Sequence, residues 1–118
     1  MSRRSDLELL QDIKTCIDKI FFYTKNLDYR KFSEDYIVQD AVVRNLEIIG
    51  EATKNTSRRL RNKHKDIPWK KMSQQRDKLI HHYSGVDYDI VWGVIKKSLP
   101  ELASEIDKAI QSETHSQQ

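Results

Sequence analysis

The chain of 118 residues holds one cysteine, two prolines and three glycines. A lone thiol, Cys16, forms neither an intramolecular disulfide nor a cysteine-based zinc site, and it fits a reducing compartment. So few turn residues argue against a sandwich or barrel. The glycines fall singly at 50, 85 and 93, which leaves no Gly-rich phosphate loop. His64, His81, His82 and His115 lack metal-ligand spacing beyond the adjacent pair, so no metal site is expected and no cofactor is implied. No apolar run approaches the ~18 residues of a membrane span. Met1–Asp6 carries no apolar signal segment, and a cytoplasmic protein without membrane contact is expected.

What is present is charge and helical periodicity. Charged residues make up 33% and hydrophobic residues 37%, a mix that favours an all-α protein. The net charge of +3 permits a nucleic-acid partner without requiring one. A mean hydropathy of −0.76 is low for a self-contained core, so part of the apolar surface is expected to meet a partner. One domain over 1–118 is expected, with an ordered core of about 5–110 and a polar tail at 111–118.

Capping signals and stripes predict an antiparallel bundle of four to five helices. Ser5-Asp6-Leu7-Glu8 is a capping box, and Leu9, Leu10, Ile13, Cys16, Ile17, Ile20 and Phe21 follow at three- and four-residue spacing. Ser33 is the expected N-cap of a long second helix with its stripe at Val38, Ala41, Val42, Asn45, Leu46, Ile49 and Thr53, reaching Leu60. Gly50 inside it suits close approach of another helix. Ile67-Pro68-Trp69 opens a third helix, which Ser84-Gly85 interrupts with Gly85 in the left-handed region. Asp87 caps a fourth, bearing Ile90, Val91, Val94 and Ile95. Ser98-Leu99-Pro100-Glu101 either opens a fifth helix or kinks the fourth into it.

The chemistry concentrates in Arg76-Asp77-Lys78-Leu79-Ile80-His81-His82-Tyr83. At helical spacing Trp69, Met72, Arg76, Leu79, Ile80 and Tyr83 share a stripe whose other members suit a core, and an inward guanidinium there requires a carboxylate, carbonyls or a bound anion. On an ideal helix Arg76 and Tyr83 lie within about 20° of each other and ~10 Å apart, while His81 lies about 140° from Arg76. Either the helix ends near His81, or a second chain completes the site. These groups suit metal-free RNA cleavage: an imidazole accepts the ribose 2′-OH proton, the 2′-oxygen attacks the adjacent phosphorus, and the guanidinium neutralises the charge that builds on the phosphoryl oxygens. The bland alternative pairs Arg76 with an acid of helix two and leaves His81 and Tyr83 as packing residues.

Arg76-x4-His81-x-Tyr83 also matches the R-x4-6-H-x-Y signature of the HEPN superfamily. Val43-Arg44-Asn45-Leu46-Glu47-Ile48-Ile49-Gly50-Glu51-Ala52 resembles the helix-two block of the HepT-like toxins, and Trp69, Asp87-Tyr88 and Trp92 also fit. The resemblance covers roughly residues 5–110. It implies a HEPN-type helical bundle that homodimerises with the two signatures facing a shared cleft. It implies a metal-independent endoribonuclease, the toxin of a type VII toxin–antitoxin pair. An MntA-type minimal nucleotidyltransferase antitoxin would neutralise it by AMPylating Tyr83. Arg76 and His81 are then catalytic, with Tyr83 the modification site and a substrate contact; His82 adjoins His81, and either imidazole suits the cleft. The alternative is a non-catalytic HEPN-fold module that binds RNA, a nucleotide or the antitoxin.

Two further groups are candidates. Glu47 and Glu51 share a helical face and could orient Arg76; otherwise they pair with Arg44 or Lys54 on an exposed surface. Lys54, Arg58, Arg59, Arg61, Lys63 and Lys65 form a basic run, extended by Lys70 and Lys71, that would attract an RNA backbone or simply complement a helix C-terminus.

Overall fold

The computed structural model describes residues 4–80 and 85–116, with backbone alone at 75–80 and 116. All regular secondary structure among the described residues is helical. Helix α1 (Asp6–Thr24) starts at the predicted capping box: Ser5 Oγ accepts the Glu8 N–H at 3.1 Å, and Glu8 Oε1 accepts the Ser5 N–H at 3.0 Å. Its inner face buries Leu9, Leu10, Ile13, Cys16, Ile17 and Ile20. Thr24 closes that face, its hydroxyl donating to the Ile20 carbonyl so that burial leaves no orphaned polar group.

The long second helix of the sequence reading is divided. A short helix, α2 (Tyr29–Glu34), comes first, capped by Asp28 and anchored by the fully buried Phe32. Ser33 is not the N-cap; its hydroxyl donates to the Arg30 carbonyl, and Asp35 caps α3 (Tyr36–Lys54) by accepting the Val38 N–H at 3.0 Å. After Lys54 the chain breaks at Asn55-Thr56-Ser57. The Asn55 N–H turns to Ala52 and that of Thr56 to Thr53, tightening the last turn, and the Thr56 hydroxyl takes the Thr53 carbonyl as well. Short polar side chains compete with the helical ladder in this way, ending one helix and starting another. Ser57 then caps α4 (Arg58–Lys63) through the Leu60 N–H.

Helix α5 (Trp69–Ile80) follows Pro68, whose carbonyl accepts the Met72 N–H at 3.0 Å. Gly85 has φ +100°, the left-handed region that its position after the helix predicted. Asp87 caps α6 (Tyr88–Gly93) through the N–H groups of Asp89 and Ile90. Of the two expectations for Ser98-Leu99-Pro100-Glu101, the second is observed: α6 passes through a π-helical segment, Val94–Ser98, into α7 (Leu99–Ser116). Pro100 has no N–H for the carbonyl of residue 96 and its ring crowds that carbonyl; a widened turn ahead of it relieves both. Helix α7 also runs past Gln111, where the sequence reading placed the start of a tail, and it buries Glu113.

Helix α1 packs on α3 and α7, and α3 packs on α5. The core unites the α1 stripe with Val42, Leu46 and Ile49 of α3, Leu60 of α4, Met72 of α5 and Leu102, Ile106 and Ala109 of α7. Each large side chain so buried contributes about 1.5–3 kcal/mol by leaving water. Of the apolar residues that α6 carries, Ile90 is half exposed, whereas Val91 beside it is fully buried.

Candidate functional site

Helix α5 is held at its first turn. The Trp69 indole Nε1 donates to the His64 carbonyl at 2.9 Å, and Trp69 and Met72 are both buried, as the inner stripe requires. Arg76 lies four residues beyond Met72 on this helix. Its side chain, and His81, His82 and Tyr83 entirely, lie outside the described residues.

The two candidate orienting acids are on α3. Glu47 approaches Arg44 at 3.7 Å, one of the i±3 partners considered for it from sequence. Glu51 is exposed and lines a groove with Arg4, Asp12, Arg44 and Glu47 between α1 and α3.

Five of the six cations of the basic run separate into two sets, and Arg58 joins neither. One set converges on Glu113, which is only 4% exposed. Arg59 Nη2 lies 2.7 Å, Lys63 Nζ 3.0 Å and His64 Nε2 3.1 Å from its two carboxylate oxygens. Burial pushes the Glu113 carboxyl up; the hydrogen bonds from Arg59, His64 and Lys63 outweigh it and hold the group down at about 2. Arg59 also reaches Asp6 at 3.5 Å, and Asp6 accepts both the backbone N–H and the hydroxyl of Ser57. This clasp fixes α4 to the start of α1 and the end of α7. Sequence reasoning missed Glu113, although its position signals it: it follows Ile106, Ala109 and Ile110 at helical spacing, an acid on an apolar stripe, just as Arg76 is a base on one.

The second set faces outward. Lys54, Arg61 and Lys65 line a groove of about 970 Å³, and Lys70 and Lys71 of α5 line its other side with Trp69, Ser73 and Gln74. None of its described lining residues is acidic. Arg61 is fixed there by donating from Nη2 to the Thr56 carbonyl at 3.0 Å and from Nε to the Ser57 carbonyl at 3.3 Å. Arg58 is exposed on α4 and lines neither feature. The groove joins the last turn of α3 to the first turns of the helix that carries Arg76, so a polyanion lying in it would run beside that helix.

Among the described residues no group of three His, Cys, Asp or Glu side chains could hold a metal ion, and no helix is long and apolar enough to cross a membrane.

Residues 13–109 match the family model described as "Ribonuclease HepT-like". A protein of Methanocaldococcus jannaschii named "Putative RNase" is 42% identical over 93% of this chain and 95% of its own length. A protein of Caldanaerobacter subterraneus subsp. tengcongensis with the same kind of name is 41% identical over 89% of this chain and 90% of its own. "Probable ribonuclease HepT" of Thermococcus cleftensis is 41% identical over 90% of this chain and 96% of its own. No solved structure matches the chain at a significant level.

Proposed function

The chain belongs to the ribonuclease HepT-like family, and from that membership we propose that it is an endoribonuclease that cleaves RNA without a metal, through Arg76 and His81. The observation that carries this reading is the position of Arg76-x4-His81-x-Tyr83 inside the matched segment 13–109, in a chain whose relatives bear ribonuclease names. The basic groove at the start of α5 supports it, since a polyanionic substrate needs a positive surface to bind.

In the mechanism we propose, neutral His81 accepts the proton of a ribose 2′-OH. The 2′-oxygen forms a bond to the adjacent phosphorus as the bond from phosphorus to the 5′-oxygen breaks. The leaving 5′-oxygen takes up a proton, and the products are a 2′,3′-cyclic phosphate end and a 5′-hydroxyl end. Arg76 stabilises the extra negative charge of the phosphorane-like transition state, a contribution that grows as water is excluded. Two copies of the chain, with their signatures facing across one cleft, would bring His81 to the reacting phosphate despite its angular offset from Arg76 on a single helix. His82 is the substitute if the imidazoles exchange roles, and Glu47 and Glu51 are the candidates to orient Arg76.

We further propose that the enzyme is the toxin of a type VII pair and that a minimal nucleotidyltransferase transfers AMP to Tyr83. An added phosphodiester anion on Tyr83 would occupy the place that the substrate phosphate needs beside Arg76.

The test is cleavage of RNA in EDTA by the wild type and by Arg76→Ala, His81→Ala and His82→Ala. Loss of roughly 10²–10⁴-fold is expected for the working acid–base residue. Undiminished cleavage by Arg76→Ala and His81→Ala together would sink the site assignment. Co-expression with the nucleotidyltransferase should add the mass of at least one AMP to the wild type and none to Tyr83→Phe.

A further inference from the structure

We infer that the groove between the end of α3 and the start of α5 is a separate binding subsite for the RNA backbone, which anchors the strand to one side of the scissile bond. The identity of the polyanion rests on the ribonuclease reading above; the site itself rests on the charges and their surroundings. Lys54, Arg61, Lys65, Lys70 and Lys71 come from α3, α4, the α4–α5 connection and α5, and they gather along one concave surface with no acid in its described lining. Like charges assembled in this way repel one another, and a chain of phosphates arriving in the groove relieves that repulsion and releases its own counterions.

The neighbouring clasp sharpens membership of the subsite. Arg59 and Lys63 belong to the same basic run, yet both are held by the buried Glu113 carboxylate. They are therefore structural cations, and the groove draws instead on Lys70 and Lys71. Arg61 is the pre-arranged member: its guanidinium is fixed by the Thr56 and Ser57 carbonyls, so less side-chain freedom is lost when a phosphate binds.

The position of the groove sets what it does. Lys71 and Lys70 precede Arg76 on α5 by five and six residues, or ~7.5 and ~9 Å along the helix axis. They also stand about 140° and 120° round the helix from Arg76, so the groove is set apart from the reacting phosphate and takes phosphates further along the strand. Such contacts are equal in the ground and transition states, so they set KM and leave kcat unchanged. They also demand RNA that extends beyond the scissile bond on one side, and a dinucleotide is a poor substrate.

The test uses a fluorescent oligonucleotide lacking 2′-hydroxyls, which binds without being cleaved, and reads its anisotropy against salt. Each cation in phosphate contact is worth about four-fold at 0.15 M salt. The triple variant Lys54→Ala/Lys65→Ala/Lys70→Ala should therefore bind about 50-fold more weakly, and its salt slope should be shallower by about 2. Arg30→Ala, on the exposed face of α2, should bind as the wild type does. In cleavage of RNA the triple variant should show a raised KM at constant kcat. Wild-type affinity in the triple variant would overturn the subsite while leaving the ribonuclease reading standing. Polyglutamate bound as tightly as the oligonucleotide would make the groove a site for an acidic protein and overturn the inference. A wild type that neither binds the oligonucleotide nor cleaves RNA would remove both readings.

Discussion

Arg59, Lys63 and His64 close on a single buried carboxylate, whereas Lys54, Arg61 and Lys65, drawn from the same stretch of chain, line a groove whose described walls carry no acid. The residue types are interchangeable on paper. Their surroundings are not, and the difference separates cations that hold the fold from cations free to hold a ligand. In the clasp, three donors that themselves reach solvent outweigh the cost of burying Glu113. The groove is open to water, so the repulsion among its charges is screened but not cancelled, over a Debye length of about 8 Å.

The largest break in this contrast should come from Glu113→Ala. It leaves three cationic or dipolar groups without their shared acceptor and is expected to cost about 3 kcal/mol. That corresponds to a melting temperature lower by more than roughly 10 °C, readable in a thermal melt followed by circular dichroism. An unchanged melt would mean that the clasp holds nothing together.

Acid should erase the same contribution without mutation. The Glu113 carboxyl is held below its unfolded value of 4.5, at about 2. The folded state therefore binds fewer protons at this group, and its stabilisation is present above pH 4.5 and lost as the pH falls toward 2. Stability measured from about pH 5 down to about pH 2 should decline for the wild type more steeply than for Glu113→Gln, by up to about 3 kcal/mol across the window. Parallel curves would assign the acid lability to other carboxylates.

A smaller effect is expected at the hinge between the two sets. Ser57→Ala removes the cap of α4 and a hydroxyl bonded to Asp6, and should cost about 1–2 kcal/mol in urea unfolding. The smallest belongs to the groove: Lys65→Ala should change stability by no more than about 0.5 kcal/mol, since it removes only an exposed like charge. A large destabilisation there would show Lys65 to be structural after all and would dissolve the distinction.

How far the sequence could be read depends on how local each signal is. The capping box at Ser5–Glu8, the α1 stripe, the start of α5 at Pro68-Trp69 and the Asp87 cap are each written within a few residues, and each is observed. The long second helix was misread because the apolar pattern runs on to Leu60 across Asn55-Thr56-Ser57, and a periodicity argument does not register the Asn55 and Thr56 side chains taking over backbone carbonyls while Ser57 caps the next helix. Helix α2 has six residues, too few to show a period, and its anchor is the packing of Phe32 on Trp92 at 5.1 Å, sixty residues away. At the candidate site the Arg76, His81 and Tyr83 pattern was legible as spacing, while the clasp that frees part of the basic run for a ligand was not.

By itself, then, the sequence determined the helical class, the starts of α1, α5 and α6 and the signature that places the chain in its family, because propensity, capping and spacing are properties of neighbouring residues. Which positive charges are neutralised was decided only by the tertiary structure. Arg59 and Glu113 stand 54 residues apart and meet at 2.7 Å because α4 and α7 are packed together, and Coulomb attraction depends on distance in space, which the order of residues does not state.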